Sequence, residues 1–262
     1  MSSQTTGDAP ADRCLDGRTA LVTGASAGTG LAIAATFARA GAVVVMLART
    51  REALDEAASS IGVTGGRALV FACDITDSES VRSVIGRLPV LDIVVNNAGT
   101  NVPQPFVEVS GANLDLLINL NMRAAFVVSQ AAVRKMLAHP QRSERGGAVI
   151  NITSQMGHVG SPNRTAYCMT KHGLEGLTKA MAIELAPKNI RVNSLAPTFV
   201  DTPLIRRIVD TPAKRDYLVS RIPMGRMATE NEIAAAALYL ASGASSMVTG
   251  TSLLVDGGWT AQ

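Results

Sequence analysis

Short runs of β-branched and apolar residues alternate with longer Ala-rich stretches of helical period along nearly the whole 262-residue chain, and this alternation specifies βαβ units. The spacing predicts strands over 19–23, 42–47, 68–72, 91–95, 148–152, 190–195 and 252–255. Between them it predicts helices over 28–40 and 51–60, and one entered through 74–77. A long helix follows a loop at 96–110 and ends near 137, and further helices cover 165–186 and 230–241. Strands joined by crossover helices lie parallel, and right-handed crossovers give a Rossmann-type doubly wound α/β sheet of about seven strands with helices on both faces. Ligands of such a sheet sit at the carboxyl ends of its strands.

No linker or repeat breaks the pattern, so one domain is expected over 15–262 behind a disordered tail at 1–14. The segment 197–225 is irregular and rich in proline, which marks it as a mobile lid. With 47% hydrophobic but only 3% aromatic residues and 23 glycines, the core must be a buried sheet covered by small-residue helices. The net charge of +3 comes from scattered Lys and Arg without a like-charged run, which argues against a nucleic-acid or membrane partner. Cys14, Cys73 and Cys168 lack metal-type or CxxC spacing, so no metal site or disulfide is expected and a reducing cytoplasm fits. Residues 1–13 are polar with no apolar core segment, so no secretory signal is expected, and no apolar run is expected to span a bilayer.

Thr23-Gly24-Ala25-Ser26-Ala27-Gly28-Thr29-Gly30 follows the first strand and opens the first helix, where backbone N–H groups and the helix dipole suit a dinucleotide pyrophosphate. The spacing is GxxxGxG, so it is the position after a buried strand that gives the glycines their meaning. The second strand ends Leu47-Ala48-Arg49 with no carboxylate for a ribose diol. Arg49 can fork onto a 2′-phosphate, which favours NADP over NAD, although a solvated loop residue is the plain alternative. Asp74 can accept from the adenine amino group or simply cap a helix.

Tyr167 and Lys171 are four apart on a predicted helix and share a face. An ammonium beside a phenol favours phenolate and should lower the tyrosine pKa toward working pH. Ser154, just past the fifth strand, can hydrogen-bond a substrate oxygen, and Asn121 in the long helix can bond a backbone carbonyl and an ordered water.

The glycine turn, Asn96-Asn97-Ala98-Gly99, Asn121, Ser154 and Tyr167-xxx-Lys171 together resemble the short-chain dehydrogenase/reductase family over roughly residues 17–259. The resemblance implies a single-domain oxidoreductase that interconverts a ketone and a secondary alcohol by hydride transfer. In it Tyr167 is the acid/base, Lys171 holds the nicotinamide ribose and tunes Tyr167, Ser154 orients the substrate and Asn121 holds a relay water. It implies cofactor contacts from Gly24, Ser26, Gly28, Thr29, Gly30, Arg49, Asp74, Ile75, Asn97, Ala98, Gly99, Tyr167, Lys171, Pro197, Val200 and Thr202. It also implies a homotetramer built on the helices at 112–137 and 165–186. Three positions depart from the family: Thr29 replaces Ile, Thr198 replaces the Gly of Pro-Gly, and Ala27 replaces a basic residue found in NADP users. NADP preference therefore rests on Arg49.

Asn101, Gln155, Met156, Arg164 and Phe199 are the candidate substrate residues. Gln155 and Arg164 suit a sugar, polyol or keto acid, with a 3-ketoacyl thioester as the alternative. His158 can face substrate or serve as a turn residue, and Cys168 is a packed neighbour of Tyr167. A nucleotide-sensing module without catalysis would keep the glycines but would have no use for the other four residues.

Overall fold

In the computed structural model the described residues are 13–262, apart from positions 203, 204, 207, 208 and 210. The tail expected at 1–14 lies almost wholly outside them. The strands are β1 (Thr19–Thr23), β2 (Val43–Ala48), β3 (Arg67–Ala72), β4 (Ile93–Asn96), β5 (Gly147–Ile152), β6 (Ile190–Pro197) and β7 (Ser252–Val255). They form one parallel sheet in the order β3-β2-β1-β4-β5-β6-β7, so the order in which strands are added reverses between β1 and β4. That is the switch point where a doubly wound sheet opens a crevice.

Side chains alternate across each strand and divide the core in two. Ala20, Val22, Val44, Met46, Val95 and Ile150 face Ile33 and Phe37 of α1 (Gly28–Arg39), Leu54 of α2 (Arg51–Val63), and Ile233 and Leu240 of the last helix. Leu21, Val45, Leu47, Val94 and Val149 face Val81 and Ile85 of α3 (Ser78–Arg87) and Val128 and Met136 of a later helix.

The long helix at 111–137 is three pieces: α4 (Gly111–Leu117), a π-helical turn (Ile118–Arg123) and α5 (Ala124–Leu137). As one rod, Gly111–Leu137 contains an 18-residue window of mean hydropathy 1.4, long and apolar enough to cross a membrane by length and composition alone, although Asp115, Asn121 and Arg123 interrupt the rod. Its inward residues, including Ala124, Val128 and Ala132, are buried in the core. A short helix, α6 (Arg142–Arg145), leads into β5, and α7 (Thr165–Leu185) follows it. The stretch expected to be irregular contains α8 (Pro212–Val219), begun by Thr211, whose hydroxyl accepts from Lys214 N–H, with Pro212 in the first turn. The closing helix α9 (Glu230–Ala241) starts from a capping box between Thr229 and Glu232.

Candidate active site

The loop from β1 into α1 holds Gly24 and Gly28 at φ of +65° and +58°. A Cβ on Gly30 would stand 2.2 Å from the Gly24 carbonyl oxygen and 2.5 Å from Asn97 Nδ2, so only glycine fits there. Asn97 braces this turn, its Nδ2 donating to Thr23 O and Gly24 O at 3.0 and 3.3 Å. Thr23 Oγ1 accepts from the N–H groups of Asn97 and Ala98 at 3.0 Å each. Ala27 makes no side-chain cap at the N-terminus of α1, unlike Asp77 of α3, Thr211 of α8 and Thr229 of α9, and no acidic residue occupies the first turn of α1. Its first N–H groups are thus left for an anion, which fits the diphosphate of a dinucleotide.

A cavity of about 390 Å³ runs from this turn across the ends of β2, β3 and β4, lined by Gly24, Ser26, Arg49, Asp74, Ile75, Asn97, Ala98 and Gly99 among others. Arg49 is exposed at its rim and its charge helps to lower the Asp74 pKa. Asp74 does not cap α3, a role taken by Asp77. Its Oδ1 accepts from Thr76 N–H and Oγ1 at 2.9 and 2.7 Å, and these bonds hold its carboxyl below the usual range.

A second cavity of about 210 Å³ is lined by Asn101, Ser154, Gln155, Met156, Tyr167, Thr198, Phe199, Val200, Thr202 and Ile205. Lys171, one turn beyond Tyr167 on α7, donates from Nζ to Ile152 O at 2.9 Å and lies 5.5 Å from the centre of the Tyr167 ring. Asn121 sits in the π-turn, and its side chain clasps the Thr100 backbone: Nδ2 donates to Thr100 O and Oδ1 accepts from Thr100 N–H, both at 2.9 Å. Asn121 Nδ2 also reaches Thr170 Oγ1 at 3.2 Å. The expected lowering of the tyrosine pKa is not found. Burial pushes the Tyr167 phenol up to about 12, against a hydrogen bond to Ser154 and the charge of Arg164, and pushes Lys171 down to about 8, against the charge of Glu175.

A family model described as Enoyl-(Acyl carrier protein) reductase matches residues 24–260. The chain is 38% identical to D-threitol dehydrogenase of Mycolicibacterium smegmatis over 250 residues, 94% of each chain. It is 40% identical to L-xylulose reductase of Mus musculus over 253 residues, 95% of this chain and 99% of that one. A gluconate 5-dehydrogenase from Burkholderia cenocepacia J2315, crystallised with NADP and tartrate, superposes with a TM-score of 0.88 at 36% identity, covering 96% of this chain and 98% of that one. The chain belongs to the short-chain dehydrogenase/reductase family. It is an NAD(P)-dependent oxidoreductase working between a carbonyl and an alcohol.

Within this short-chain dehydrogenase/reductase, Ser154 and Tyr167 share the second cavity with Asn101, Gln155, Met156 and Phe199, all expected from the sequence. Val200 and Thr202 join that wall, and Thr202 also lies near the glycine turn, its Cγ2 3.9 Å from where a Cβ on Gly28 would be. Arg164 is not among the lining residues: it precedes α7 and donates to Asn163 O at 3.2 Å. His158 turns from the cavity, its Nε2 2.9 Å from Ser252 Oγ and 3.3 Å from Glu175 Oε1. Glu175, unremarked in the sequence, is buried and accepts from Ser194 Oγ at 2.6 Å and Ser252 Oγ at 3.1 Å. Its signal was its spacing, one further turn along the face that carries Tyr167 and Lys171.

Proposed function

We propose that this short-chain dehydrogenase/reductase prefers NADP(H) and interconverts a small polyhydroxylated ketone or keto acid with its secondary alcohol, as a homotetramer in the cytoplasm. The observation that carries the substrate reading is the cavity in which Ser154 and Tyr167 stand beside the amides of Asn101 and Gln155. Amides among apolar neighbours suit a substrate with several hydroxyl or carboxylate groups. Relatives named for threitol, xylulose and gluconate support the same substrate class.

When bound, the cofactor supplies or accepts the hydride. Ser154 orients the substrate oxygen, and Tyr167 gives that oxygen a proton in reduction and takes one in oxidation. Lys171 is close enough to add positive charge beside the phenol. Asn121 holds the Thr100 loop against α7, leaving the relay water as part of the proposal. Residues 197–225 are the covering segment in this reading, since Phe199, Val200, Thr202 and Ile205 wall the cavity.

The test follows NADPH oxidation with D-erythrulose, L-xylulose or an acetoacetyl thioester, and NADP reduction with D-threitol or gluconate. Turnover of at least one sugar-derived substrate well above the thioester is expected, and the reverse order overturns the substrate reading. Tyr167→Phe should bind NADPH almost normally and lose turnover by about two to four orders of magnitude. Turnover within tenfold of wild type would remove Tyr167 from the proton-transfer role.

A further inference from the structure

One of the amides that line the substrate cavity is also bonded directly to the serine of the scheme above. Gln155 opens a one-turn helix (Gln155–Gly157) immediately after Ser154, is 2% exposed and lines the cavity with Ser154 and Tyr167. Ser154 Oγ donates to Gln155 Oε1 at 2.8 Å and accepts from Met156 N–H at 3.1 Å. A hydroxyl has one proton and two lone pairs, so this geometry commits the proton to Gln155 and one pair to Met156. Ser154 shares the cavity with Tyr167, whose pKa the serine proton would lower if it were donated there; with that proton on Gln155, what remains for Tyr167 is a lone pair. A phenol can donate to a lone pair, whereas a phenolate cannot and needs a donor.

The single proton of Ser154 thus has two claimants. We infer that Gln155 is a positioning residue that holds the Ser154 hydroxyl proton away from Tyr167, keeping the tyrosine protonated and the resting site set to donate a proton to a ketone. The inference rests on the reading of Tyr167 as the acid/base. For oxidation of an alcohol the hydroxyl must leave Gln155 and rotate toward Tyr167, and the proton stays on Ser154 in either orientation. The enzyme is therefore poised for reduction near neutrality and works as a dehydrogenase as the pH rises.

Other titratable groups also bear on the phenol and stay in place when Gln155 is replaced. On α7 these are Lys171 and Cys168, with Arg164 just before the helix. Glu175 acts on Lys171 and is held by Ser194 of β6, Ser252 of β7 and His158 of the loop after β5. Losing the competing acceptor should lower the Tyr167 inflection by about half to one pH unit, the equivalent of one neutral hydrogen bond.

The experiment titrates tyrosinate absorbance in the NADP complex, taken as the difference from Tyr167→Phe, and compares it with the pH profile of NADP-dependent D-threitol oxidation. Gln155→Met, close to isosteric, should lower the inflection by that amount. Gln155→Glu, which keeps the acceptor oxygen and adds charge, should leave it at or above the wild-type value. In a Ser154→Ala background Gln155→Met should move nothing, which separates control of the serine proton from a general packing effect. An unchanged or raised inflection in Gln155→Met, a lowered one in Gln155→Glu, or an equal fall without Ser154 each overturns the inference. Failure of the acid/base reading shows differently: Tyr167→Phe would keep its turnover.

Discussion

Arg49 is exposed at the end of β2, whereas the next cation along the chain, Arg51, is engaged by Asp55 through Nε–Oδ2 at 2.8 Å. Ala27 adds no charge on the other side of the crevice, so discrimination for the 2′-phosphate falls on one guanidinium. A charge-assisted contact at a solvated rim belongs at the low end of its usual range, giving about tenfold preference for NADP in kcat/KM. Arg49→Ala should erase most of that preference and leave NAD turnover nearly unchanged; equal efficiency with both cofactors in the wild type would show that Arg49 plays no such part. Single residues were legible where spacing along one element carries the chemistry, as with Tyr167 and Lys171 on α7. They were not legible where meaning depends on a partner's direction. Nothing in Ser154-Gln155 as letters tells which atom receives the serine proton, and nothing in His158 tells that it faces Glu175 rather than substrate.

At the scale of elements, the strands and most helices follow from period and punctuation, and 19–23, 230–241 and 252–255 coincide with the structure. The π-turn at Ile118–Arg123 escaped because no period or punctuation marks it; within it Asn121 is bonded to the Thr100 backbone, 21 residues upstream. Helix α8 was hidden for another reason, since the prolines marked all of 197–225 as irregular, whereas Thr211 makes Pro212 a first-turn proline. A clamp at the amino ends of the strands was equally silent. Asp92, 2% exposed, accepts from Thr19 N–H at 2.9 Å and pairs with Arg145 through two contacts of 2.7 and 2.8 Å, joining β1, β4 and the entry to β5. Burial pushes its carboxyl up, but Arg145, the Thr19 N–H and the charge of Arg18 outweigh this and hold it below the usual carboxylate range. A carboxylate lowered on folding adds stability that is complete above its unfolded pKa, near pH 4, and is lost as pH falls through the folded value. Asp92→Asn should therefore cost about 2 kcal/mol at pH 7. The gap in denaturation midpoint should narrow below about pH 4, and a gap independent of pH would mean the pair adds nothing through its charge.

At the scale of the whole molecule, one face of the chain is left more apolar than a lone domain needs. Ile118, Met122, Phe126, Gly173, Leu174 and Leu177, with Arg123 among them, line a groove of about 280 Å³ between the π-turn, α5 and α7. The two helices touch closely there, since a Cβ on Gly173 would lie 2.5 Å from Met122 Cε. Phe126 is 49% exposed beside the groove, and Ile183 is 78% exposed further along α7. A contiguous apolar face on two long helices is the sort of surface that a second copy covers. In an interface with two-fold symmetry each residue is present twice, so a charge introduced at Phe126 is buried in duplicate, at a desolvation cost that the one nearby cation, Arg123, only partly offsets. Phe126→Glu should split the proposed tetramer of 27.2 kDa chains into smaller species at micromolar concentration by light scattering. The side chain is half exposed in the single chain and lies outside the nucleotide cavity, so the separated protein should still fold and bind NADPH. A wild-type mass of one chain would refute the assembly, and an undiminished mass for Phe126→Glu would place the interface on another face.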